Sequence, residues 1–519
     1  MPRSPKASPT VHQTEGPKRL GRRWRILLWG VGTLLMLCLF GAGGGYLWFN
    51  HLLAGANRRV DPAVSAALKS PPSSVSTTSG PVGTSASGGV AGSSSTSTPP
   101  PPPASPDAMD ILLLGTDNRA SAPGSRSDSI MLVHVDPAQN FISVLSIPRD
   151  LLVAIPGHGL NKLNAAYDVG GAALTIRTVK QVTGVNINHF MEVDFQAFQR
   201  LTNSLGGVYV DVDRRYFSND PTYEPIDIQA GYQLLDGHDA LEYVRYRHDQ
   251  NADFGRMLRQ QRFLEALKEQ MEAQGAGLLF KLPGLASDLF SGATTDLSAD
   301  QILRLAYFGV RLGEGNIRQV RLGGSTPTIN GVDYVVDSPT DIAQAVHEYL
   351  TPVTSATSGA SSPAPATAST SPTTSTTDYH ALSAWTAVAE TVPFAVEVPD
   401  YLPAGYTYFD RVPEPGATYA LKTGGGSQPA LRIIYRYMRE DQYLGVSETS
   451  WLDAPLASPG TSVVESGGIT YTVVGTEGKV DHIWWKKDGV LFWVSNTLSY
   501  LVPESALLRM AESFSPVAK

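Results

Sequence analysis

Residues 110–147 read DILLLGTDNRASAPGSRSDSIMLVHVDPAQNFISVLSI. Within them DILLLG (110–115), SIMLVHV (129–135) and FISVLSI (141–147) are short apolar runs ending in turn residues, the pattern of buried strands. Farther on the period changes: Ile176, Val179 and Val182 recur at helical spacing up to Gly184. Asp194 then stands as an N-cap before Phe195, Phe198, Leu201 and Leu205, with Gly206 and Gly207 closing the run. Strands alternating with helices predict a layered α/β sandwich.

Composition sets the limits of that domain. Residues 50–106 are rich in Ser, Thr, Gly and Pro and end near PPPPPASP, which reads as a disordered stalk. A second tract, 351–377, has the same character and separates the domain at 107–350 from one at 378–519. The latter carries β-type runs (FAVEVP, LRIIYRYM, ITYTVVG, HIWWKK, VLFWVSN) and then one helical segment, PESALLRMAESF, which predicts a small β-rich α+β unit. Its WWKKDGVLFW aromatics read as strand packing around a turn, with sugar stacking as the rival use.

Ahead of the stalk, residues 26–49 are 24 uncharged residues, long enough as a helix to cross a bilayer. The basic tail at 1–25 holds seven Lys and Arg against Glu15, so the N-terminus is expected in the cytoplasm and both domains outside. With a net charge of −8 overall, the rest of the chain carries about −14, which argues against a nucleic-acid partner. The one cysteine, Cys38, lies in the apolar stretch, so the exported part has no disulfide to rely on.

Against that acidic background EYVRYRHDQNADFGRMLRQQ (242–261) holds Arg245, Arg247, Arg256 and Arg259 and no lysine. Arginine forks grip carboxylate or phosphate bidentately. An extended RYR would put Arg245 and Arg247 on one face, and the helical run after it sets Arg256 and Gln260 one turn apart, with Met257, Leu264, Leu267 and Met271 toward a core. The alternative for the stretch from Arg256 to Arg262 is an exposed helix with ordinary salt bridges. Asp117 follows one strand and Asp128 precedes its neighbour. This suits a hard cation, Mg2+ with Mn2+ as the alternative, or else simple turn and cap roles. Arg149 follows the third strand, and Lys162 lies in a loop leading into a small-residue helix.

Taken in order, DILLLGTDNR, SRSDSIMLVHVD, ISVLSIPRDLLV, NKLNAAYDVGG, EVDFQAFQRLTNSLGGVYVDV, LDGHDALEYVRYRHD and DFGRMLRQQRFL resemble the LytR-CpsA-Psr family of bacterial cell-wall ligases over residues 107–350. The resemblance implies an α-β-α sandwich with an apolar tunnel for a polyprenyl chain. It implies a phosphotransferase that moves a glycosyl-phosphate polymer from a polyprenyl-pyrophosphate carrier to peptidoglycan or a related wall polymer. A pyrophosphatase using the same site, or a non-catalytic wall-binding or regulatory protein, are the rival readings. Carried to matching positions, Asp117 and Asp128 hold Mg2+, while Arg119, Arg149, Lys162, Arg245, Arg247, Arg256 and Gln260 form the pyrophosphate shell. Arg149 also acts in catalysis, and Asp117 is the nominee for general base. His248 reads as a hydrogen-bond partner of Asp249. The 378–519 domain resembles only uncharacterised exported bacterial domains.

Overall fold

The computed structural model of the chain describes residues 44–72, 105, 107–117, 127–220, 225–247, 252–275, 277–312, 316–352, 385, 389–409, 417–423, 426–438, 441–476 and 479–517. The three apolar runs are strands. β1 (Met109–Thr116), β2 (Ser127–Asp136) and β3 (Phe141–Ser146) pair antiparallel in succession. β4 (Leu152–Ile155) and β5 (Gly159–Lys162) form a separate hairpin, which places Lys162 at a strand end. β6 (His189–Asp194) joins β1 in parallel, and strands Ala293–Thr295 and Ile317–Arg321 close the two edges of a six-stranded sheet.

Alternation divides this sheet into two faces. Leu112, Leu114, Ile130, Leu132, Leu145 and Phe190 are buried on one, packed against Ile176 and Val179 of the helix Ala165–Thr183 and Val346 and Tyr349 of the helix Pro339–Leu350. The other face carries Leu113, Met131, Val133, Ile142, Met191 and Val193, which are partly buried, beside Ile111, Val135 and Val144, which are buried. The long helix Ala252–Gln274 crosses the end of that second face, where Gln260 Nε2 donates to Ser129 Oγ (2.6 Å) and Gln261 Nε2 to Ser146 Oγ (3.2 Å). The sheet therefore carries helices on both sides. The expected caps are present: Asp194 Oδ1 accepts from Ala197 N (2.6 Å), and Gly184 and Gly206 close their helices in the left-handed region.

The stalk does not begin at residue 50. Asp61 caps the helix Pro62–Lys69, whose Val64 and Ala67 enter the domain core, and the buried Lys180 Nζ donates to the carbonyls of Leu68 and Ser70 (2.7 Å each). Arg59 donates to the carbonyls of Phe290, Ser291 and Ala293. Averaging composition over a long Ser/Thr/Gly/Pro tract hid a short capped helix at its start. The apolar stretch 26–49 falls largely on residues 1–43, outside the described ones, and among the described residues no helix is long and apolar enough to cross a membrane.

Residues beyond the second tract form the β-rich unit that was expected. Seven strands run in the order Tyr406–Tyr408, Gly426–Tyr437, Tyr443–Thr449, Val490–Ser495, Lys479–Lys487, Ile469–Thr476 and Ser462–Ser466, with Ala417–Thr423 beside the second of them. The helix Glu504–Glu512 packs on the sheet. The aromatics serve packing: Trp485 stacks on Phe492 at 5.5 Å, and Trp493 is fully buried.

This unit is docked on the first domain. Arg432 and Asp211 form a buried ion pair across the junction, with Ser495 also donating to Asp211, and Tyr209 donates its hydroxyl to the carbonyl of Lys422 (2.5 Å). Arg262 overturns the exposed-helix expectation for its part of the long helix, because it is buried against Asp481. Leu264, expected in the core, is exposed instead. His482 has Nδ1 2.7 Å from Asp481 and Nε2 3.0 Å from the carbonyl of Leu456. Both neighbours only accept, so both ring nitrogens carry protons and the side chain is an imidazolium. It has no lone pair for a metal, although Glu269, Asp481 and His482 are grouped closely enough to suggest one.

Two outcomes test this junction. Replacing Arg262→Gln leaves Asp481 buried beside a neutral amide and should cost about 3–5 kcal/mol in denaturant unfolding; a loss below about 0.5 kcal/mol would return Arg262 to the surface. Burial and the nearby Asp481 charge push Glu265 up to about 8. For His482 burial acts downward, but the hydrogen bond and charge of Asp481 outweigh it and raise the pKa. Both groups hold their protons more tightly folded than unfolded, so stability falls as pH rises through their folded values. Melting temperature should therefore decline between about pH 5 and 9, with a shallower slope in Glu265→Gln; an unchanged slope in that variant would remove Glu265 from the account.

Candidate active site

The antiparallel pairing of β1 and β2 sets Thr116 opposite Ser127, so Asp117 and Asp128 emerge at the same end of neighbouring strands, as expected. At that end β3 gives way to a turn carrying Pro148, Arg149 and Asp150. The backbone N–H of Arg149 donates to Asp253 Oδ2 (3.1 Å), and its guanidinium pairs with Asp128 Oδ1. Asp150 receives Lys162 Nζ at 3.0 Å and Arg247 at 2.9 Å. Asp253, 4% exposed, pairs with Arg256 and lies 3.8–3.9 Å from the Nε atoms of Arg247 and Arg149. Two carboxylates thus gather Arg149, Lys162, Arg247 and Arg256 from four separate segments. Burial raises the Asp253 carboxyl pKa although Arg256 opposes it, and burial lowers that of Arg256.

The three arginines keep donors in reserve. Among the described residues the buried Nε atoms of Arg149, Arg247 and Arg256 have no hydrogen-bond partner. A buried unsatisfied donor costs about 1–3 kcal/mol, so an anion with several oxygens is the complement of this cluster.

Other expected shell members sit differently. RYR is not extended, because Arg245 ends the helix Gly237–Arg245 that Asp236 caps. Its side chain pairs with Glu242 (3.4 Å) and lies over the Phe195 ring. Gln260 is buried, and its amide nitrogen is engaged with Ser129 and the carbonyl of Val244, so it positions the helix. Arg119 and His248 lie outside the described residues.

Sequence reasoning passed over Asp150 and Asp253, although each stands beside or three residues from an arginine already chosen. It also left Arg259 without a role. That residue is 1% exposed, donates to the carbonyls of Tyr243 and Tyr246, and stacks on Tyr216, tying the long helix to the end of the one before it. Beside Asp117, a half-buried Glu192 accepts from Tyr167 (2.6 Å) and Thr116 (3.3 Å), and burial raises its pKa.

A sheet whose strand ends hold a cationic cluster on buried carboxylates is the form of an anion-handling enzyme, and residues 84–349 match the LytR_cpsA_psr family, to which this chain belongs. Among its relatives is the polyisoprenyl-teichoic acid–peptidoglycan teichoic acid transferase TagU of Oceanobacillus iheyensis, 34% identical over 46% of this chain and 73% of that protein. Regulatory protein MsrR of Staphylococcus aureus is 33% identical over 41% and 63%. The crystal structure of B. subtilis TagV is 29% identical, covers 47% of this chain and 95% of that one, and has a TM-score of 0.42.

Lysine at position 247 would keep the charge and lose the second parallel hydrogen bond. Because charge-assisted bonds are worth about 1.5–3 kcal/mol and about 1.4 kcal/mol is tenfold, Arg247→Lys should slow turnover roughly ten- to a hundredfold without a change in melting temperature. Wild-type rates in that variant would mean that charge alone suffices.

Proposed function

We propose that the protein transfers a phosphate-linked glycopolymer from a polyprenyl-pyrophosphate carrier to a hydroxyl of peptidoglycan or a related wall polymer, working outside the membrane and anchored through residues 26–49. The observation that carries this reading is the set of unsatisfied Nε donors on Arg149, Arg247 and Arg256 around Asp150 and Asp253. A pyrophosphate supplies the oxygens those donors lack. The partly open apolar face of Leu113, Met131, Val133, Met191 and Val193 adjoins Ser129 at the same strand end, which suits a polyprenyl chain. The names of the relatives point the same way.

In this reading Arg149, Arg247 and Arg256 fix the pyrophosphate and stabilise the charge that grows on it, and Lys162 adds a point charge through Asp150. The acceptor oxygen bonds to the phosphorus that bears the glycan. The P–O bond to the bridging oxygen breaks, polyprenyl phosphate leaves with the electron pair, and the acceptor proton passes to Asp117. Asp128 fits a metal as well, since Arg149 engages Oδ1 and leaves Oδ2, and the pair with Asp117 is an all-oxygen donor set. Mg2+ or Mn2+ held there would neutralise pyrophosphate charge.

Release of polyprenyl phosphate from a lipid-linked donor, measured with and without peptidoglycan fragments, tests the reaction. Release that depends on the acceptor marks transfer, and equal release without it marks hydrolysis. Asp117→Asn and Asp128→Asn should each raise the Mg2+ concentration needed for half-maximal turnover by about tenfold or more while the fold persists, because an amide keeps the shape and loses the charge. Unchanged turnover at limiting Mg2+ would leave the two as turn residues.

A further inference from the structure

The helix Ala299–Arg311 is apolar and largely uncovered. Between Gln301 and Arg311 no described side chain is buried, although Ile302, Leu303, Leu305, Tyr307 and Phe308 are among them. Leu303 is 48% exposed and Tyr307 65%. We propose that this helix lies in the outer surface of the membrane that holds residues 26–49, with Leu303 and Tyr307 set among the lipid headgroups. The proposal rests on the anchored reading above and adds to it which face of the domain meets the bilayer.

The path of the chain supports it first. Asn57 Nδ2 donates to the carbonyl of Leu297 (3.4 Å), directly before Ser298, which caps the helix. Arg59 donates to the carbonyl of Ala293 (2.7 Å). Ala293 pairs with Val193 and Thr295 with Met191, on the strand that sets His189 beside Ile111 and Asp194 beside Thr116. Passing from Leu297 to Ala293 therefore moves from the Met109 end of the sheet toward the Thr116 end, and the chain enters the domain at the former. Asn57 is eight residues after Phe49, where the apolar stretch ends, and eight residues span at most about 28 Å. The start of the helix is tied within that distance of the bilayer.

Side-chain chemistry supports it next. Leu303 and Tyr307 are one turn apart and share a stripe of the helix. Leucine buries in acyl chains, and tyrosine suits the headgroup level, where an apolar ring and a polar tip are both accommodated. Arg311 lies over the Tyr307 ring (4.9 Å) and donates to its hydroxyl, while Arg304 pairs with Asp300 at the surface (2.9 Å). Two arginines against one acid leave little net charge on the helix, so insertion of apolar side chains, and not attraction to anionic lipid, drives the contact. Two such side chains alone hold weakly. The anchor makes the contact intramolecular, and an effective concentration in the millimolar range lets a weak contact persist.

The placement has a consequence for the phosphate site. Leu305 and Phe308 of the same helix line a cavity of about 840 Å3 together with Met109, Val135 and Pro137, at the strand ends away from Thr116 and Ser127. β1 has eight residues, so at about 3.4 Å per residue the two ends of the sheet are about 24 Å apart. The docked helix holds the cationic cluster at the far end, with the partly open apolar face of the sheet between the cluster and the bilayer.

The test uses the full chain with Cys38→Ser, inserted in vesicles of phosphatidylcholine and phosphatidylglycerol, with the environment-sensitive dye NBD on a single new cysteine. The sites are Leu303→Cys, Trp48→Cys in the apolar stretch, and Val463→Cys, which is exposed in the C-terminal domain. Emission at positions 303 and 48 should shift to the blue and be quenched by doxyl-labelled lipid, and emission at 463 should do neither. Adding Tyr307→Glu should sharply reduce quenching at 303 without a change in melting temperature. Quenching at 48 with none at 303 would overturn the inference and leave the anchor standing. A blue shift at 303 without lipid quenching would mean that protein, such as a second copy, covers the stripe, and would overturn it as well. Quenching at 303 with none at 48 would keep the docked helix and refute the anchor, and quenching at neither would refute both.

Discussion

Like charges gathered at one spot repel, and everything at the strand ends follows from how that repulsion is held in check. Arg149, Lys162, Arg247 and Arg256 converge there because Asp150 and Asp253 lie between them. Both acids arrive with the cations themselves, Asp150 directly after Arg149 and Asp253 three residues before Arg256. The cluster is thus self-neutralised in part, which lets it fold without a ligand. It is still short of acceptors at three Nε atoms, which an anion would supply. A fully paired cluster would be a structural lock, and a fully unpaired one would not assemble.

The fold of the first domain was legible because its signals are local. Three apolar runs bounded by turns gave β1 to β3, and the caps at Asp194, Gly184 and Gly206 stand where the residue types put them. The site was legible as chemistry and less so as geometry. Arg149, Arg247, Arg256 and Lys162 do come together, since permanent cations clustered in an acidic chain have few other uses. Arg245 and Gln260 have other partners in the structure: the Arg245 guanidinium lies over Phe195, and the Gln260 amide donates to Ser129, next to Asp128. No sequence periodicity reports which acids a set of arginines will share.

What the sequence concealed most was contact across long separations. Arg262 looks like any charged residue on a helix, and only the position of Asp481, more than two hundred residues on, makes it a buried one. The short helix Pro62–Lys69 was hidden for a related reason, since its value lies in Val64 and Ala67 meeting a core built by other segments. Periodicity describes what an element does alone, and burial is decided by what covers it.

The long helix shows how one element can serve two domains. Arg256, Arg259 and Arg262 are three residues apart, and at about 3.6 residues per turn each step of three falls roughly 60° short of a full circle. Their side chains therefore fan around the axis. The first meets Asp253 in the cationic cluster, the second reaches the carbonyls of Tyr243 and Tyr246, and the third meets Asp481 of the C-terminal domain. A spacing of four would have drawn them toward a single stripe and one partner. The spacing of three joins the cationic cluster, the preceding helix and the C-terminal domain through one helix.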